Sequence, residues 1–263
     1  MAWAIGDDAV EFLDAAVPFL SLDAAAHAPL LTEAAYLASR PQPGARFGVW
    51  DGAVPAAFVH VPRHPVLLSA LPAEPVELVA ALPAALPWEV RVEDVAAVAA
   101  ALVRERGASA EAARIVVMRV AADAVLDPTA VDPEGAARVA TGTDGPLLAQ
   151  WYGTLLASLD DDATDLAFLV DEPLSYAGAL LWLNRGEPVG VAIRTRVAGG
   201  VTKVTAAWSP VDDRYAEAAF VAACAAARAV ADHVVAMARP GSAIEERYRA
   251  LGLVPAAERV LLR

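Results

Sequence analysis

The sequence has one cysteine, Cys224, and one lysine, Lys203, in 263 residues. A single cysteine excludes an intrachain disulfide. Cys224 lies in an Ala-rich run that reads as a helix, where a free cysteine is expected to act as a small buried hydrophobe. There are only four histidines, His27, His60, His64 and His233, and they are scattered. No Cys/His cluster has metal-ligand spacing, so no metal site is expected. His60 and His64 stand at i,i+4, but Pro62 between them rules out a shared helical face, and both read as strand or turn residues. Long apolar runs are also missing. Ala216 to Ala231 is broken by Glu217 and Arg228 and is too short and polar to span a bilayer, so no membrane partner is expected. The N-terminus has no basic segment followed by an apolar run, the mark of a secretory signal. A soluble, cytoplasmic protein is the expectation.

What is present bounds the answer further. Hydrophobic residues make up 57% and charged residues 20%, which predicts a sizeable core and not a disordered chain. The net charge of −13 argues against nucleic acid, whose binders present a basic stripe to the phosphates. It is compatible with a cationic partner such as a small amine, although acidic surfaces also serve solubility.

Pattern divides the chain near residues 122–136, where a polar run with two prolines and a glycine lacks apolar periodicity and reads as a linker. Before it, apolar spacing predicts helices over Val10–Leu20 and Leu30–Leu37. Strands follow at Phe47–Trp50, Val54–Val61 and Pro65–Leu71, with Asp51-Gly52 as a hairpin turn. Helices then run over Glu74–Leu82 and Glu93–Arg106, the second ended by Gly107. A strand at Arg114–Val120 closes this half. After the linker come a short strand at Ala137–Thr141 and a helix from Asp144 through Leu155. Asp160–Asp165 is an acidic loop without the glycine and terminal glutamate of a calcium loop. Strands follow at Leu174–Trp182, Glu187–Val197 and Val201–Trp208, the first two joined by Asn184-Arg-Gly186. A long Ala-rich helix, a short strand, a short helix and a last strand at Glu258–Leu262 complete the chain. Both halves contain a Trp-bearing strand turning through glycine into an Ala/Val strand, a weak repeat at a domain-sized period.

The order from Val201 to Arg263, with Tyr248-Arg-Ala-Leu-Gly252-Leu253 after the short helix, resembles the C-terminal half of the GNAT-type N-acetyltransferase superfamily. The whole chain is similar to tandem GNAT proteins, in which the N-terminal half keeps the fold and the C-terminal half keeps the cofactor site. The resemblance implies an α/β fold of two tandem GNAT-like domains, over 1–125 and 136–263, each a mixed twisted sheet flanked by helices. It implies acetyl-CoA as co-substrate and a small amine as acceptor.

Such transfer needs a diphosphate held by backbone N–H groups at a helix N-terminus, a thioester carbonyl polarised by a backbone N–H and a proton for the leaving thiolate. By resemblance, Arg214, Tyr215 and Ala216 take the diphosphate position, and Ala206, Ala207 and Trp208 line the pantetheine. Tyr248 stands where the family's tyrosine protonates the thiolate. Ser209-Pro-Val-Asp-Asp-Arg214 has no glycine where the family's phosphate loop has two, and Asp212 or Asp213 also reads as a plain helix cap. No residue is assigned as general base, though Glu172 and Glu187 fall near the edges of the expected site. The competing expectation is a degenerate GNAT scaffold serving as a binding or dimerisation module, with a homodimer as one form.

Overall fold

The computed structural model describes residues 3–69, 71, 75–82, 87–132, 134–159 and 164–263. In chain order the elements are β1 (Trp3–Gly6), α1 (Ala9–Leu20), α2 (Ala28–Ser39), β2 (Arg46–Trp50), β3 (Ala56–His60), β4 (Val66–Leu68), α3 (Pro75–Ala81), β5 (Trp88–Arg91), α4 (Val95–Arg106) and β6 (Glu111–Val120). They continue with β7 (Gly135–Val139), α5 (Gly145–Leu159), α6 (Leu166–Leu169), α7 (Asp171–Ser175), β8 (Ala179–Asn184), β9 (Glu187–Arg194) and β10 (Val201–Trp208). The last are α8 (Asp213–Ala227), β11 (His233–Ala238), α9 (Ala243–Ala250) and β12 (Leu253–Leu262). The second series repeats the first, strand for strand, with α6 and α7 standing in for α2. The two Trp-bearing strands of the repeat are β2 and β8, at equivalent places.

The chain forms two compact units, one of residues 1–118, 237–247 and 255–263, the other of 119–236 and 248–254. The sequence reading places a linker over residues 122–136, between domains of 1–125 and 136–263. The main crossing falls between Met118 and Arg119, and the C-terminal segments divide between the units, with the last nine residues in the first.

In the first unit, β1 to β5 lie in sheet order, followed by β12 and β6. β4 and β5 are parallel, and Arg259–Leu262 of β12 run antiparallel to Trp88–Arg91. One face carries Phe58, Val66, Leu68, Trp88, Val90 and Val260 against Leu78 and Val79 of α3 and Val98 and Leu102 of α4. Burial of each such large side chain stabilises by roughly 1.5–3 kcal/mol. Phe47, which pairs with Val59 on the opposite face, meets Phe12 of α1 at 5.3 Å. Helices thus cover both faces, which is why β3 is buried along its whole length. Local chemistry sets the helix ends. Asp8 accepts from the amides of Val10 and Glu11, and Gly107 ends α4 at φ +81°, a conformation that costs only glycine little.

Buried polar groups are concentrated in the first unit. His60 is 4% exposed and neither ring nitrogen has a partner. Burial first, and then Arg46, holds its pKa below the ordinary 6.5. His27 is also depressed by burial, with Arg259 and Arg91 adding to the effect against Asp23 and the Leu20 carbonyl. Each ring is harder to protonate when folded than in the unfolded chain, where a histidine takes up its proton near pH 6.5. Stability contributed by keeping them neutral is fully present above that pH and is lost as pH falls toward the folded pKa. Denaturation midpoints measured from pH 7.5 to 5.5 are expected to fall, by up to about 1.4 kcal/mol per pH unit for each histidine. His60→Leu is expected to flatten that slope. An unchanged midpoint across the range would show that the rings find partners or water.

In the second unit, β7 to β11 follow in order, with β7, β8, β9 and β10 antiparallel and β11 parallel to β10. Leu181, Val191 and Ile193 face Leu148, Trp151, Tyr152, Leu169 and Val170 of α5 to α7. α8 lies on the other face. There Gly190 comes so close that a Cβ would stand 2.5 Å from the Tyr215 carbonyl oxygen, so only glycine admits the helix. Asp132, in the stretch expected as a linker, is buried and accepts from Trp182 Nε1 at 2.7 Å and Asn184 Nδ2 at 3.1 Å.

Several local expectations change. β1 and β5, four residues each, are too short to show a period. The hairpin β2–β3 turns over residues 51–55 and not at Asp51-Gly52 alone. Leu174 is helical, and the strand expected from it begins at Ala179. The expected start of α3 at Glu74 and the acidic residues 160–163 lie outside the described residues. Cys224 is fully buried in α8, where burial pushes its thiol pKa up, as its helical reading requires.

Candidate functional site

β10 is irregular on both of its sides. It pairs with β11 only from Val201 to Lys203, although β10 runs on to Trp208 and β11 to Ala238. On its other side the ladder to β9 slips between Thr205, opposite Ile193, and Trp208, opposite Val191. Two residues, Ala206 and Ala207, there stand against one. This is a bulge, which leaves backbone groups unpaired and re-aims the strand. Ala206 sits at φ +50°, a left-handed conformation that costs a non-glycine residue about 1–2 kcal/mol.

Two neighbours on α5 hold the bulge. Tyr152, wholly buried, donates its hydroxyl to the Ala206 carbonyl at 3.0 Å. Burial pushes its pKa up, so it stays a neutral donor. Trp151 meets Trp208 edge-on at 5.9 Å. The three residues expected along the pantetheine, Ala206, Ala207 and Trp208, are half-buried and lie together on the unpaired length of β10. Tyr152 was not singled out in the sequence. Its place beside Trp151 on an apolar helix face marks it as core, and nothing local announces a partner 54 residues away.

The loop into α8 is closed on itself. Ser209 donates its hydroxyl to the Val189 carbonyl at 2.6 Å, and the same oxygen accepts from the amides of Val211 and Asp212 at 3.1 and 3.2 Å. Asp212 is the N-cap, accepting from the Arg214 amide at 2.9 Å, while the Tyr215 amide bonds the Asp212 carbonyl. The simple cap reading of Asp212 holds. Arg214 turns away, its guanidinium 2.6 Å from the Tyr215 hydroxyl and stacked over that ring at 4.6 Å. Tyr215 is buried against β9, and Ala216 is half-buried in the first turn of α8. A diphosphate needs free amides at a helix start. Here the amides of Val211, Asp212, Arg214 and Tyr215 are taken, and the carboxylates of Asp212 and Asp213 are beside them. Arg214, Tyr215 and Ala216 do not fit a diphosphate.

Tyr248 is half-buried on α9, its ring stacked on Phe220 of α8 at 4.6 Å and 13°. Glu172 is buried and bonded to Arg196 Nε at 2.5 Å, an ion pair that holds the carboxylate. Glu187 is exposed at the start of β9. Among the described residues no group of three or more His, Cys, Asp or Glu could hold a metal ion, and no helix is long and apolar enough to cross a membrane.

No protein-family model and no curated protein sequence matches the chain. Solved structures do. A GCN5-related N-acetyltransferase from Kribbella flavida is 20% identical, over 81% of this chain and 87% of its own, at a TM-score of 0.57. A GNAT-family acetyltransferase from Colwellia psychrerythraea is 7% identical, over 100% and 98%, at a TM-score of 0.61. A tandem GNAT protein from the clavulanic acid biosynthesis pathway is 11% identical, over 99% and 97%, at a TM-score of 0.55. At such identities the shared property is the backbone, and it is shared along nearly the whole chain. The repeated element order, the interrupted β10–β11 pairing and these likenesses give this chain the GNAT fold, carried twice in tandem.

Proposed function

We propose that the second unit transfers an acetyl group from the thioester of acetyl-CoA to a small amine. The observation that carries this reading is the bulge at Ala206, held by Tyr152 on the length of β10 that β11 leaves unpaired. A strained alanine and a buried tyrosine spent on one carbonyl do nothing for the sheet, whose ladder they break. In this reading a backbone N–H of that length of β10 polarises the thioester carbonyl, which gains electron density as the amine attacks. In the transfer the amine nitrogen bonds the carbonyl carbon, the C–S bond breaks, and the amine gives up a proton to solvent water. Tyr248 supplies a proton to the leaving thiolate. The reading carries with it the expected cytoplasmic setting.

A second reading, a binding module without catalysis, is supported by the self-capped loop at Ser209–Arg214. Thiol release from acetyl-CoA, followed with a panel of primary amines, separates the two. Release that depends on the amine is expected. No release with any amine, together with a melting temperature that acetyl-CoA leaves unchanged, would favour the module, because a ligand at 100 times its Kd adds about 2.7 kcal/mol of stability.

A further inference from the structure

We infer that the second unit recognises its acyl donor by the pantetheine-type thioester arm alone and gains nothing from the nucleotide diphosphate. This rests on the acyl-transfer reading and narrows its donor class to thioesters of a pantetheine-like arm, with or without a nucleotide behind it. The inference comes from a contrast within one continuous segment. From Thr205 to Trp208 the backbone is kept open at a cost, with Ala206 at φ +50° and its carbonyl tied down by Tyr152. From Ser209 to Tyr215 the backbone is closed. One serine oxygen takes the amides of Val211 and Asp212, and the Asp212 carboxylate and carbonyl take those of Arg214 and Tyr215.

An incoming diphosphate would have to displace the Ser209 hydroxyl, which is also anchored to Val189, and the Asp212 cap. It would have to do so beside two exposed carboxylates, Asp212 and Asp213, on a chain of net charge −13. Arg214 is held over Tyr215 by that residue's hydroxyl and ring, with its Nε 3.8 Å from Asp212 Oδ2. A neutral amide-bearing arm meets none of these obstacles. Its amides can pair with strand backbone, which β10 offers past Lys203 where β11 no longer pairs with it.

The test compares S-acetylpantetheine with acetyl-CoA as donors, and titrates the intact protein with pantetheine and with adenosine 3′,5′-bisphosphate. The inference expects kcat/KM for the two donors within about threefold, measurable binding of pantetheine, and none of the bisphosphate. A preference for acetyl-CoA of 100-fold or more, or binding of the bisphosphate, overturns it. If neither donor transfers its acetyl group yet pantetheine binds and the bisphosphate does not, the recognition stands and the acyl-transfer reading falls. If neither fragment binds, both fall. The double variant Ser209→Ala, Asp212→Gly frees the loop amides and is expected to shift preference toward acetyl-CoA by tenfold or more. An unchanged ratio overturns the role given to this loop.

Discussion

Replacing Arg259 by alanine is expected to lower stability by about 3–5 kcal/mol, the largest effect of any single substitution proposed for this chain. Arg259 sits on β12 with its side chain fully buried in the first unit, and its Nε meets Glu89 Oε1 at 2.5 Å. Nη2 donates to the carbonyls of Leu68, at 2.8 Å, and Glu89, at 3.0 Å. One guanidinium therefore ties the end of β4 to β5. Alanine leaves a buried carboxylate without its counter-charge and two carbonyls short of a donor, and the desolvation of Glu89 is no longer offset. Nη1 has no partner even in the intact protein, so the pair is less than ideal. That is why the double variant Arg259→Met, Glu89→Leu is expected to recover most of the loss, since removing a buried pair entirely is often neutral or stabilising. Denaturant midpoints of the wild type and the two variants decide the matter. A loss below about 1 kcal/mol for Arg259→Ala would mean that water reaches Glu89 once the guanidinium is gone.

Tyr248→Phe is expected to lower turnover by about 100-fold or more, as removal of a general acid does, while affinity for the thioester and overall stability stay near the wild-type values. The stack on Phe220, 4.6 Å between nearly parallel rings, needs only the ring and survives in phenylalanine. Turnover within threefold of wild type would make Tyr248 a packing residue of α9 on α8. It would also remove the only proton donor assigned to the thiolate and move the weight to the binding-module reading. Affinity falling together with turnover would point to a role in holding the donor.

Much of this fold is local and was legible as such. The Asp212 cap, the Gly107 helix end and the Asn184-Arg185-Gly186 turn, with Arg185 at φ +52° and Gly186 at φ +88°, each depend on a few adjacent residues. The α/β class and the repeated order follow from periodicity in segments long enough to show it. The missing glycines before α8 already pointed to a poor diphosphate loop, because only glycine lets backbone approach a phosphate so closely. The rest depends on partners far away in the chain. β5 is four residues long, too short to show a period, and its neighbours β4 and β12 make it a strand. Arg259 reads as a surface residue until Glu89, 170 positions earlier, is placed against it. The last nine residues look like the end of the second half, yet they complete the first unit's sheet. The opening of β10 depends on the same kind of distant contact. Thr205-Ala206-Ala207-Trp208 carries no glycine or proline to announce a bulge, and the hydroxyl that holds it comes from Tyr152 on another element. The sequence alone determined the type of most of the longer elements and several of their caps, since caps and periods act within a few residues. Which strand stays unpaired, which charge is buried and which hydroxyl meets which carbonyl were decided only by the tertiary structure, because those energies exist only once segments far apart in the chain are packed together.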